Sequence, residues 1–183
     1  MSLFRRSPGP DEVAEAIWQQ IRKAAADHAK LFDAIHVPPN TNVEEESLYF
    51  FAFVADLSLH LLENQRIAGA TKVRNALLNL LRDFGRSHSC GPLPTGEWLG
   101  DSLIWLRGAA PEAHGDPIAN LNERFELYAT AMKRRRDRAI GESLGHVLAA
   151  ICGTTDISII IANTAMFVPT FEGVRDVVKS ARL

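Results

Sequence analysis

The chain predicts an all-α fold, a single-domain bundle of about six to eight helices around a central apolar helix over 43–63. Apolar residues recur every three or four positions along several stretches, and from Leu48 to Leu62 only Asp56, Ser58 and His60 are polar. Strand character is confined to one short run, Ile157-Ser158-Ile159-Ile160-Ile161. A strand needs a partner, and no second run of this kind offers one, so 157–167 is expected to be a buried helix.

Length and composition fit this reading. A chain of 183 residues is close to the common domain size and long enough to bury one core, so residues 1–183 are expected to form one domain. Hydrophobic residues make up 46% and charged residues 23%, and the net charge of −2 gives no electrostatic reason to expect a nucleic acid or an anionic membrane.

The elements follow in order. Residues 1–9 carry Pro8 but no apolar core of a signal peptide, and read as a flexible tail. Pro10, Asp11 and Glu12 open the first helix, because proline tolerates the first turn and carboxylates complement the positive end of the dipole. Val13, Ile17, Ile21, Ala24, His28, Leu31 and Ile35 then make one stripe, which Pro38 and Pro39 end near His36. Asn42 and Glu45 have the spacing of a capping box for the second helix.

A third helix is expected over 65–86, with Val73, Leu77, Leu80, Leu81 and Phe84 facing inward. Glycine and proline mark internal loops at 88–96 and 108–117, with a short helix between them carrying Trp98 and Trp105. Ile118 to Arg138 reads as a helix stopped or kinked by Gly141, and is followed by segments at 144–151, 157–167 and 171–183. The apolar stretches 48–62 and 157–168 are shorter than the ~20 residues that cross a bilayer, so no membrane span is expected.

Few polar groups are spaced for chemistry. Asp56 and His60 lie four apart on the most apolar helix, as an orienting carboxylate and a working imidazole would. With Tyr49 and Glu63 they also make a thin polar seam that simply meets water or a polar neighbour, and this plainer reading is preferred. Tyr49, Asp56 and His60 are the candidate ligand-binding residues. His88-Ser89-Cys90 supplies two metal-ligand types, with His114 or Asp116 as further donors; two ligands do not make a site, and no metal is expected.

His28, on the apolar stripe of the first helix, reads as a satisfied core histidine. Lys133 to Arg138 (KRRRDR) is the one basic cluster, better explained by a helix C-terminus than by nucleic acid, which is not expected as a partner. Trp98 and Trp105, seven apart, are the candidate partner-binding residues, since tryptophan is enriched at binding hot spots. Neither GxGxxG, GxxxxGK[ST], HExxH nor GxSxG occurs, so no catalytic residue or cofactor is assigned.

A long helix, the Val37-Pro38-Pro39 break and an apolar second helix come in an order loosely similar to that of the ubiquinol-cytochrome c chaperones. Helices recur in this order often, and no residue role is carried over from the resemblance.

The expected function is a non-enzymatic interaction module, an adaptor, assembly factor or regulator that binds another macromolecule, with a protein as the partner and self-association as an option. The alternative is a small-molecule or enzymatic pocket near Asp56 and His60. Cys90 and Cys152 have no disulfide or zinc spacing, which fits a reducing, cytoplasmic setting.

Overall fold

The computed structural model describes residues 7–35, 37, 41–91, 93, 115–134, 139–181 and 183. These form six α-helices and no strand, which makes the protein an all-α multi-helix bundle.

Helix α1 (Pro10–Ala29) begins as its first residues dictate, the Gly9 N–H donating to Glu12 Oε2 at 2.7 Å. It ends earlier than Pro38 requires: the chain tightens into a 3-10 turn at Lys30–Phe32 that carries Phe32 into the core. Helix α2 (Val43–Asn64) has the expected cap, Asn42 Oδ1 accepting from the Glu45 N–H at 3.2 Å. Its apolar wrap is explained by its neighbours, because α2 packs against all five other described helices.

Helix α3 (Ala70–Ser87) starts later than periodicity implies. Arg66 (φ 58°) and Gly69 (φ 76°) are left-handed, so 65–69 turns the chain instead of extending the helix. Helix α4 (Pro117–Arg134) is capped by Asp116, whose Oδ1 accepts from the Ile118 N–H at 3.0 Å.

Helix α5 (Ile140–Ile151) includes Gly141, which therefore does not stop a helix but lies inside one. There, and at Gly145, the missing side chain lets α6 (Ile157–Ser180) come close. A Cβ on Gly145 would sit 3.0 Å from the Thr164 N and 3.1 Å from the Ile160 carbonyl oxygen.

The run at 157–161 is helical, as expected, but two other expectations for this region do not hold. The chain does not break between Phe167 and Phe171: α6 runs unbroken for 24 residues with Pro169 inside it. Proline removes one backbone bond from a helix interior; here side chains tie the turn down, Thr170 Oγ1 donating to the Met166 carbonyl and Ser58 Oγ of α2 to the Phe171 carbonyl, both at 2.8 Å.

Nor is α6 buried. Only 17% of the residues in its most apolar 18-residue window are, because α1, α2 and α5 cover one side of it. Among the described residues α6 is also the one helix long and apolar enough to cross a membrane, by length and composition alone. The expected lack of a span assumed a shorter segment than the one that forms.

Candidate functional site

The polar seam expected on α2 divides in two. Asp56, His60 and Glu63 gather around Arg74 of α3: its guanidinium donates from Nε to Asp56 Oδ1 at 2.7 Å and from Nη1 to Glu63 Oε2 at 3.0 Å. His60 is exposed and lies 3.3 Å from Nη1 through its Nδ1. Bonds from Thr71 and Arg74 hold the Glu63 carboxyl below the usual range. Asp56 therefore serves an interhelical ion pair and does not orient His60, and the group is a surface clasp between α2 and α3.

Tyr49 is elsewhere. Fully buried, it donates its hydroxyl to Glu45, and burial pushes its pKa far up. The Arg124 guanidinium stacks over its ring, 5.2 Å from the centroid. Arg124 of α4 meets Glu46 of α2 in the interior, Nε donating to Oε2 at 2.8 Å, while Nη1 donates to the carbonyls of Gly91 at 2.9 Å and Asn120 at 3.1 Å.

Burial raises the Glu46 carboxyl pKa against the pull of Arg124. Burial also works against charge on Arg124, but the bonds and charge of Glu46 outweigh it. Asn120 Nδ2 donates to the Cys90 carbonyl at 2.8 Å, so α4 holds the chain just beyond α3 at two consecutive carbonyls. The Cys90 thiol is buried and its pKa raised by that burial, which suits a packing residue and not a nucleophile.

A second interior network was read from sequence only as a satisfied histidine. His28 Nδ1 lies 2.8 Å from Ser47 Oγ of α2, and Nε2 lies 2.7 Å from Asn163 Oδ1 of α6. Asn163 Nδ2 donates in turn to the Gly145 carbonyl of α5 at 3.0 Å. Since Asn163 Oδ1 can only accept, Nε2 carries the proton and Nδ1 accepts from Ser47. One chain of bonds thus joins α1, α2, α6 and α5.

The remaining feature is apolar. Ile157, Ile161 and Val168 of α6 are 72%, 62% and 53% exposed, and spacings of four and seven put them on one face of the helix. Asn163, Ile159 and Val174 point the other way, into the core. A groove of about 220 Å³ runs along the α1 side of the same helix, between Ile17, Ile21, Ala24 and Met166, Pro169, Val174.

Trp98, Trp105, His114 and most of the basic cluster, 134–138, lie outside the described side chains, as do 94–96 and 108–114 of the two loops. Among the described residues no three His, Cys, Asp or Glu side chains are grouped to hold a metal ion.

Sequence reasoning missed the Glu46–Arg124 pair because Glu46 sits in the Glu44-Glu45-Glu46 run, which a helix N-terminus explains by itself. The usable signal was Arg124, three residues after Leu121 and four before Tyr128, on the apolar face of its helix. No family model matches the chain, nor does any curated protein or solved structure.

Proposed function

We propose that the chain is a non-enzymatic helical docking module that binds a protein partner through the exposed face of α6. The observation that carries this reading is the row Ile157, Ile161 and Val168, three large apolar side chains left in solvent on one face of a helix whose other face is fixed by Asn163 and Ser58. Contiguous apolar surface on a folded domain marks a contact site more often than isolated exposed residues do. Anchors at this spacing suit an apolar groove or a helix on the partner.

The polar constellations support the same reading. The carboxylates of Asp56 and Glu63 are used by Arg74, and the thiols of Cys90 and Cys152 are buried and free, which also fits a cytoplasmic setting. A pocket at Asp56 and His60 has less support, since His60 faces solvent.

A lipid surface is the competing partner, favoured by the length and apolarity of α6. A photoreactive amino acid at position 161, expressed in the native host, tests the reading. A discrete protein adduct lost on Val168→Lys is expected, with no such adduct from a probe at exposed Lys72 on α3. Lack of any adduct specific to position 161 would overturn it, as would flotation of the purified chain with neutral phosphatidylcholine vesicles abolished by Val168→Lys.

A further inference from the structure

We propose that His28 is an acid-sensitive latch: protonation of its ring weakens the joint that holds α5 and α6 against α1 and α2, and loosens α6. The geometry is specific. The ring is 1% exposed, lies edge-on to Phe32 at 5.4 Å and Phe51 at 5.6 Å between centroids, and both nitrogens are engaged, one by each side of the joint. Its Nε2 bond to Asn163 leads directly to the backbone of α5 through Gly145.

Among the described residues no charged side chain contacts the ring. From α2 it meets Ser47 and Phe51, from the 3-10 turn Phe32, and from α6 Asn163; none is ionisable. Glu46, beside Ser47, is committed to Arg124, while Asp27 and Lys30, near His28 in the chain, pair with each other at 2.8 Å on the surface. An imidazolium here would keep hydrogen-bond acceptors at both nitrogens but lose water with no carboxylate to replace it.

The direction with pH follows. Burial lowers the His28 pKa below its ordinary value, with the Asn163 bond opposing. When the joint opens, the ring regains an ordinary pKa near 6.5. Below that pH the open form therefore binds a proton that the latched form does not. The latch is at full strength above about pH 6.5 and weakens as pH falls toward the lowered value in the folded chain. For a latched ring that stays neutral, the opening equilibrium rises roughly thirtyfold between pH 7.5 and 5.

Hydrogen exchange of the full chain, corrected for the intrinsic pH dependence of amides, reads this directly. Protection of the amides of 157–168 is expected to fall severalfold from pH 7.5 to 5, with roughly thirtyfold as the ceiling, while α3 (70–87) stays level, and His28→Gln, an uncharged amide that does not titrate, is expected to remove the fall. Unchanged protection in the native chain, or the same fall in His28→Gln, overturns the proposal. Should that variant not fold, NMR titration of the His28 ring in the native chain decides: a midpoint below 6.5 that tracks loss of α6 protection supports the latch, and a midpoint at or above 6.5 overturns it.

Discussion

Glu46 and Arg124 form an ion pair across the interior of the bundle, both side chains more than nine-tenths buried and 78 residues apart in the chain. A buried pair gains from its geometry about what it loses in hydration, but either charge left alone is expensive. Arg124→Met should cost about 3–5 kcal/mol, since Glu46 and the Gly91 carbonyl lose the guanidinium together. The double variant with Glu46→Leu should recover much of that loss. Urea unfolding of the two variants checks this, and a single-variant cost below about 1 kcal/mol would show that the pair is not structural.

Gly145 and Gly173 make a matched contrast. A methyl at Gly145 would strike the Thr164 Oγ1 at 2.6 Å and the α6 backbone at 3.0 Å, so Gly145→Ala should separate α5 from α6 and cost about 1–3 kcal/mol. At Gly173, also helical, a methyl meets nothing within 4 Å, and Gly173→Ala should stabilise by about 0.5–1 kcal/mol. Thermal melts of the two variants, shifting in opposite directions, are the expected result.

Neighbouring positions on α6 should respond very differently to lysine. Ile161 is solvated and Ile159 is 4% exposed. Ile161→Lys should change stability by no more than about 0.5 kcal/mol, while Ile159→Lys should destabilise several times as strongly. Equal effects in chemical denaturation would mean that the 157–161–168 face is covered in solution.

Breaking the surface clasp should matter little. Asp56 and Arg74 keep side-chain exposures of 15% and 27%, so Asp56→Asn should cost about 1 kcal/mol or less, and less again in high salt. A much larger, salt-insensitive loss in urea melts would give the pair a structural weight that its exposure does not support.

Local rules made much of the fold legible. The Asn42 cap, the inward stripe of α3 and the packing of α2 against the other described helices follow from spacing and from the apolar wrap of one helix. Breaks were harder to place. The spacing divides the chain between Phe167 and Phe171, yet α6 continues through Pro169, and Ser58 of another helix bonds the Phe171 carbonyl just beyond it, a tertiary contact that spacing does not report. Gly141 reads as a stop or kink of the helix before it, but lies in the first turn of α5, close-packed against Phe167.

The candidate site was less legible than the fold. Periodicity placed Tyr49 on the same seam as Asp56, yet Tyr49 lies under Arg124 of α4 and Asp56 beside Arg74 of α3. His28 was recognisable as a core residue, but Ser47 and Asn163, 19 and 135 positions away, were not recognisable as its partners. The exposure of α6 was hidden for a related reason: composition reports how apolar a helix is and not how many neighbours cover it.

Pro169 has a second effect besides surviving inside a helix. Lacking an N–H, it returns no bond to the carbonyl of Ala165, an exposed residue between Ile161 and Val168 along the helix. Helix α6 therefore has one backbone bond fewer in the middle of its exposed face, and bends more easily there than along its other turns.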